Sequence, residues 1–523
     1  VLVEVVVKSA SSFSSRSSRL NSSCGYPPSW PMASESAHDK LLRELRSRSV
    51  GPPQISEDGV VPDRSLRRGL SRLVHELDLI QPLLMALLRT SIFRSFVAVC
   101  LGLWALLMSA ACWYVDHLQW TSLSRGLVGG CLLLWALVGV PGAVPFLKVE
   151  TDTGFHCDVT KSAAARNSRI RASFEAWVQN LHPCPYVRGG ELCTILPFLW
   201  NRNRGGTMKY ERVWLEGSDS ERFAVDWVFP PTGHDPDQPV VLLLSGLAPD
   251  KHWTKAGGFL ADAAWHLSCR KGMTVAVTVA RGTMDTQVKE HLFHGARVTD
   301  LRDIVLFSES ALSAAHGADR TTLPLFAAGY SMGGIILANY CGQYGSDVRL
   351  RGAVNFSGVY DGVYNMKFEY SVKTWQSYLA HNVKTNYFCE RFRPIAAKRG
   401  VDVDRVLSRK VASLLDFDRE FIAVYNGYNG VRDYYRALSV AAEDKWKKVA
   451  VPLLAVAAQD DPITHCDALR ARDFTTVNDN LLYLITPRGG HVGWPLGWRP
   501  WRQGFDFMNE AIEVFVQAVL AED

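Results

Sequence analysis

Leu323-Pro324-Leu325-Phe326-Ala327-Ala328-Gly329-Tyr330-Ser331-Met332-Gly333-Gly334 is the stretch that decides how this chain reads. Its apolar first half reads as a buried strand over 323–328. The apolar positions that follow, Ile335, Ile336, Leu337 and Tyr340, read as a helix from Met332 to about Tyr344. Between them stands Gly329-Tyr330-Ser331-Met332-Gly333, a G-x-S-x-G elbow. A serine held clear of a strand end needs a strained backbone. Strand and helix then pass so closely that the residues two before and two after must lack side chains. The first N–H groups of the helix, beginning with Met332, point back at the hydroxyl, where they suit a developing oxyanion. The bland alternative is a glycine-rich turn with an idle serine; the strand before and the helix after favour the elbow.

A serine hydroxyl is a poor nucleophile near neutral pH and needs a base that a third group orients. For this elbow the expected chain order is Ser, then an acid after a late strand, then His. The apolar run 451–457 leads into Gln459-Asp460-Asp461-Pro462, and the run 480–485 leads into Pro487-Arg488-Gly489-Gly490-His491. Two strand ends beside the Ser331 strand put both side chains at one sheet edge. His491 is the candidate base and Asp461, just before Pro462, the candidate acid; an alternative role for Asp460 is to cap the turn or helix that follows. A second oxyanion donor is expected from the loop after an early strand, Ser245-Gly246-Leu247, with the Leu247 N–H joining that of Met332.

Working outward, 150–523 alternates strand and helix. Candidate strands are Glu211–Leu215, Arg222–Phe229, Pro239–Ser245, Met273–Ala280, Leu323–Ala328, Arg351–Phe356, Val451–Ala457 and Asn480–Ile485. Helical stretches include Gly258–Cys269, Val298–Ala315, Met332–Tyr344 and Phe505–Leu520. The expectation is an α/β fold with one eight-stranded, mostly parallel sheet covered on both faces. Over 358–448 the rhythm stops in an aromatic-rich insertion, read as a lid. Its Tyr360, Tyr364, Phe368, Tyr370, Trp375, Tyr378, Tyr387, Phe388 and Phe392 either face an acyl substrate or form the insertion's own core.

The N-terminal part differs. Residues 1–65 read as a disordered leader, with nine serines between Ser9 and Ser23. The chain begins at Val1, so Met32 is an alternative start, and the acid-poor leader also resembles a transit peptide. Residues 66–95 read as a basic amphipathic segment beside a membrane, with a helix packed on protein as the equal alternative. Phe96–Val115 and Gly126–Leu147 are uncharged runs of 20 and 22 residues, each long enough for a hydrocarbon core of about 30 Å. They read as a transmembrane hairpin, 96–147. Arg89 and Arg94 before it, and Lys148, Lys161 and Arg166 after it, put both ends in the cytosol. If only one run spans, the catalytic domain lies on the opposite side.

Composition narrows the classes. The 523 residues are 47% hydrophobic and 21% charged, and the net charge of +5 is too mild and dispersed for a nucleic-acid partner. The 11 Cys contain no C-x-x-C pair, which fits a reducing compartment. No metal cluster or phosphate-cradling loop appears, so no cofactor is expected. Nothing in the sequence bears on oligomeric state.

Over about 180–520 the chain resembles the membrane-anchored α/β-hydrolase-fold proteins that include bacterial YheT-type hydrolases, plant embryogenesis-associated proteins and animal abhydrolase-domain lipases and phospholipases. The resemblance lies in Asp226-Trp227, Arg281-Gly282, Gly329 to Gly334, Phe417 to Glu420, Asp433-Tyr434-Tyr435, Asp460-Asp461-Pro462 and Arg488 to Gly493. It implies hydrolysis of medium-chain acyl esters, monoacylglycerols or phospholipids by a Ser331–His491–Asp461 triad. Two stretches depart from the family: Ser245-Gly246-Leu247 where it usually has His-Gly-Leu or Pro-Gly-Leu, and Glu191-Leu192-Cys193-Thr194 where it often has His-Leu-Gln-Thr. Neither is expected to touch the triad. The His-x4-Asp acyltransferase motif of some relatives is missing, since Leu496 stands five after His491. The expected protein is a serine esterase or lipase on an endomembrane such as the endoplasmic reticulum. The rivals are an alcohol O-acyltransferase on the same triad and a non-catalytic membrane receptor or scaffold.

Overall fold

The computed structural model describes residues 36–52, 154–200, 208–247, 258–284, 286, 288–316, 324–384, 388, 392–470 and 474–521. The strands are β1 Gly154–His156, β2 Glu211–Glu216, β3 Arg222–Val228, β4 Val240–Leu244, β5 Thr274–Val279, β6 Leu325–Tyr330, β7 Gly352–Phe356, β8 Leu453–Ala458 and β9 Leu481–Thr486. They form one nine-stranded sheet in the order β1-β9-β8-β7-β6-β4-β5-β3-β2. Pairings from β5 through β4, β6, β7 and β8 to β9 are parallel, while β1, β2 and β3 pair antiparallel at the two edges. The expected eight strands become nine because the short Gly154–His156 adds to the β9 edge; three residues carry too little pattern to be read as a strand. β6 also runs two residues further than 328, so that Ser331 follows it directly.

Outside the insertion the helices that build the domain include α1 Ala37–Ser47, α2 Ala164–Gln179, α3 Gly190–Trp200, α4 Phe259–Trp265, α5 Thr299–His316, α6 Met332–Tyr344 and α7 Asp506–Leu520. Strand residues alternate between two cores, as period-two side chains must. Leu242 and Leu244 join Leu301, Ile304, Ile336 and Tyr340 on one face. Val241 and Leu243 join Ile170, Phe174, Phe259, Met508 and Phe515 on the other. Both faces being covered explains why the central strands read as continuous apolar runs.

The disorder expected over 1–65 does not hold for α1. Ser36 caps it by accepting the Asp39 N–H at 3.1 Å, and Leu41 and Leu45 are fully buried in the first core. Arg46 pairs with Glu211 at 2.7 Å, and Val50 N–H donates to Trp214 O at 3.0 Å. Leu41 and Leu45 lie four apart on one face of a charged helix, and only the distant sheet and α5 give that face a partner. Among the described residues no helix is long and apolar enough to cross a membrane. The runs 96–115 and 126–147, and the segment 66–95, lie outside the described residues.

The insertion 358–448 falls between β7 and β8 as short helices around a core of its own. Phe388, Phe392, Phe417, Phe421, Tyr425 and Tyr434 are buried together there, and Leu247 and Ile335 pack against them. Tyr360 belongs to the main core instead. Of the two readings of those aromatics, the insertion's own core holds for Phe388 and Phe392, Tyr360 fits neither, and Tyr387 lies outside the described residues. Several stretches that carried the family resemblance serve packing. Arg281, fully buried, pairs with Asp219 at 2.6 Å and Asp300 at 2.7 Å, tying the β2–β3 turn to the start of α5. Asp226 is held by Arg212 at 2.6 Å, and Tyr435 donates to the buried Asp418 at 2.8 Å.

Candidate active site

β6 delivers Ser331 at the C-terminal edge of the parallel strands, and α6 leaves from the next residue. Ser331 has φ 52° and ψ −115°, a conformation that strains any residue with a Cβ. Its N–H donates to Phe356 O on β7 at 2.8 Å, which fixes the strained peptide. The glycines on either side are steric requirements. A Cβ at Gly329 would lie 2.4 Å from Gly333 O, and one at Gly333 would lie 2.4 Å from Ser245 O.

β9 ends in the loop that carries His491, and β8 ends in the loop that carries Asp461. His491 Nε2 lies 2.8 Å from Ser331 Oγ, and His491 Nδ1 lies 2.8 Å from Asp461 Oδ2. A carboxylate only accepts, so Nδ1 carries the proton and Nε2 is left free to accept from the serine. Asp461 is itself held. Its Oδ1 accepts the Ile463 and Thr464 N–H groups at 2.8 and 2.9 Å, and its Oδ2 accepts the Thr464 hydroxyl at 2.8 Å. The structure thus brings Ser331, His491 and Asp461 into one hydrogen-bonded row, although 160 residues separate the serine from the histidine.

Asp460 does not cap the turn that follows it. Its carboxylate accepts the Gly489 and Gly490 N–H groups at 2.9 and 2.8 Å, bracing the loop just before His491. Burial pushes its pKa up to about 6, against the opposing pull of those two N–H groups. One carboxylate thus meets the histidine ring, and the other the backbone of the two glycines before it.

Two supports of the base were not read from the sequence. Thr194 on α3 accepts the His491 N–H through Oγ1 at 2.8 Å, and Ser357 accepts the Val492 N–H at 3.2 Å. Ser357, Val492 and Trp494 all have positive φ, at 53°, 56° and 48°, so strain gathers around the histidine loop. Glycine lets α3 touch both loops: a Cβ at Gly493 in the histidine loop would lie 1.9 Å from Cys193 O, and one at Gly190 would lie 1.5 Å from Asp460 O in the acid loop. The expectation that Glu191 to Thr194 stays clear of the triad is therefore corrected, because Thr194 holds the backbone of its base. The signal available in the sequence was the pair of glycines around His491, which imply a close neighbour without naming it.

The oxyanion candidates flank the serine. Met332 opens α6, where first-turn N–H groups lack intrahelical partners. Leu247 follows Gly246, at which a Cβ would lie 3.2 Å from Ser331 Cβ, so Ser245 to Leu247 also abuts the serine. A cavity of about 30 Å³, room for a water or two, adjoins the elbow. Ser245, Gly333, Phe293, Leu301, Ile304 and Ile336 line it, with Arg297 and Asp300 also in its wall; Ser331 itself does not line it. Among the described residues one group of potential metal ligands converges, His465, Cys466 and Asp467, within 4.8 Å. These three are consecutive, and Asp467 N–H already donates to His465 Nδ1 at 3.1 Å.

A mostly parallel sheet with antiparallel edges, a nucleophile elbow after β6, and Asp and His loops after β8 and β9 define an α/β-hydrolase fold. No protein-family model matches the chain. It is 26% identical over 368 residues to phospholipase ABHD3 of Bos taurus, covering 66% of this chain and 82% of the relative. It is 28% identical over 309 residues to embryogenesis-associated protein EMB8 of Picea glauca, covering 56% and 60%. It is 26% identical over 315 residues to the putative esterase YheT of Escherichia coli K12, covering 59% and 85%. The similarity to these proteins supports a place in an α/β-hydrolase family.

Proposed function

We propose that this protein is a membrane-anchored serine hydrolase that cleaves carboxylic esters of lipids, namely phospholipid, monoacylglycerol or medium-chain acyl esters, through an acyl-enzyme. Carboxylic ester hydrolysis is the class to which the phospholipase and esterase relatives point. The single observation that carries the catalytic reading is the 2.8 Å contact at each end of the His491 ring. His491 Nε2 takes the Ser331 proton as Oγ bonds to the ester carbon, and Asp461 stabilises the imidazolium. The Leu247 and Met332 N–H groups hold the oxyanion. The tetrahedral intermediate then collapses, the C–O bond to the alcohol breaks, and His491 returns the proton to the departing oxygen. Water, deprotonated by the same nitrogen, releases the acid.

A fluorophosphonate probe tests the nucleophile: it labels wild type and not Ser331→Ala, and equal labelling of both puts the nucleophile elsewhere. Running the reaction with an added glyceride acceptor separates hydrolysis from acyl transfer by the product formed.

The anchor rests on the uncharged runs 96–115 and 126–147 with their basic flanks. Their position in the chain favours a hairpin over one span. α1 precedes both runs and 154–521 follows them, yet Leu41 and Leu45 are buried in the core that the later residues build. A single crossing would put those partners on opposite sides of the bilayer. We propose that the domain faces the cytosol from an endomembrane. Protease added to sealed microsomes then digests the C-terminal domain; a shielded C-terminal fragment overturns this orientation.

A further inference from the structure

α3 is apolar all round. Its sequence, Gly-Glu-Leu-Cys-Thr-Ile-Leu-Pro-Phe-Leu-Trp over 190–200, has one charged residue, Glu191, and that side chain accepts from the Tyr370 hydroxyl of the insertion. A helix without a polar stripe is normally buried on every side. Here Cys193, Thr194 and Pro197 face the protein, while Leu192, Phe198 and Leu199 are exposed, Leu199 to 66%. The exposed apolar surface continues onto the segment after His491. Trp498 is 76% exposed and Trp501 45%. Trp498 packs on Tyr186 with ring centroids 6.3 Å apart, and Tyr186 donates to its carbonyl at 2.9 Å. Single exposed apolar residues mean little, but two tryptophans, a tyrosine and an apolar helix face on neighbouring elements form a patch that calls for a partner.

The surroundings say which partner. Arg188, Arg488, Arg499 and Arg502 are exposed on the same segments, and Glu191, the acid among them, is engaged by Tyr370. Apolar side chains flanked by Trp and Tyr, with arginines among them, are the composition of a surface seated in the headgroup region of a bilayer. The patch is also joined to the chemistry, because Thr194 on the same helix holds the His491 backbone at 2.8 Å.

We propose that Tyr186, Leu192, Phe198, Leu199, Trp498 and Trp501 form the surface with which this protein docks on an anionic lipid bilayer. The inference rests on the lipid-ester reading for its purpose, since docking there brings the base loop to the membrane from which the ester is drawn. It is distinct from any transmembrane anchor, which would tether the chain without orienting the site.

The full-length chain in membranes carries the test. A benzophenone amino acid is placed at Leu199, at Trp498 or, as control, at Val477, which is 53% exposed elsewhere on the domain. Irradiation in vesicles of phosphatidylcholine and phosphatidylserine is expected to give phospholipid adducts at 199 and 498 and none at 477. Adducts to residues 53–153 of the same chain, adducts to a second copy, or equal lipid adducts at 477 overturn the proposal. A kinetic arm compares Leu199→Ser/Trp498→Ser with wild type. Turnover of an ester embedded in those vesicles is expected to fall at least tenfold relative to turnover of dissolved p-nitrophenyl acetate, and an equal fall on both substrates overturns it. A wild-type chain that turns over neither ester counts against the hydrolase reading instead, and cross-linking still decides the docking surface.

Discussion

Thr194 and His491 lie 297 residues apart in the chain, yet Thr194 Oγ1 accepts the His491 N–H at 2.8 Å. The contact fixes where the peptide of the candidate base sits, and both groups are buried. Thr194→Val keeps the shape and removes the acceptor, stranding a buried N–H at a cost of ~1–3 kcal/mol. We expect kcat to fall about tenfold, equivalent to ~1.4 kcal/mol, with little change in KM. Thr194→Ser restores the acceptor and should restore the rate. A Ser variant as slow as the Val variant would assign the loss to packing rather than to the hydrogen bond.

The two adjacent carboxylates should separate cleanly. Asp461→Asn removes the partner that sets the tautomer of His491, and a kcat loss on the order of 10⁴ is expected by analogy with other triads. Asp460→Asn keeps an oxygen for the Gly489 and Gly490 N–H groups and should cost far less activity. The comparison is made on a short p-nitrophenyl ester, after melting curves show both variants folded. A dead Asp460→Asn beside an active Asp461→Asn reverses the assignment.

Asp460 also has a pH signature. Its pKa is raised to about 6 by burial, above the ordinary carboxylate value, so the folded state binds its proton more tightly than the unfolded state. Stability from this group is complete below about pH 4 and is lost as pH rises toward 6. Asp460→Asn cannot titrate. Its melting temperature relative to wild type should therefore rise across that window and level off above it. Parallel profiles would show that the carboxylate is not buried as described.

The two kinds of positive-φ glycine should respond differently to alanine. At Gly490, φ is +61° and a Cβ would lie 2.5 Å from Gly190 O, so Gly490→Ala must displace backbone. At Gly272, φ is +71° with nothing within 4 Å, so Gly272→Ala meets only the conformational cost of ~1–2 kcal/mol. Chemical denaturation should show the larger loss at 490, with activity falling there and holding at 272.

α1 should behave as part of the catalytic domain. Leu41→Ala empties a fully buried site and is expected to cost ~2–5 kcal/mol, whereas the exposed Lys40→Ala should stay within ~0.5 kcal/mol. Equal, small effects on the melting temperature would mean that the helix is not docked in solution.

By itself the sequence determined those features whose causes are local. The elbow was legible because strain at Ser331 and contact between strand and helix leave only glycine at 329 and 333. The central strands were legible because a sheet covered on both faces writes itself as unbroken apolar runs. Tertiary structure alone decided whatever depends on a distant partner. The buried face of α1 exists only because the sheet and α5 come round to meet it. The aromatic residues of the insertion read alike as binding wall or core until Phe388, Phe392, Phe417 and Phe421 were placed together. Asp460 and Asp461 stand side by side with the same chemistry. Which one meets the imidazole and which braces its loop depends on how β8 and β9 pair, because strand pairing, unlike a turn, is fixed by residues far away in the chain.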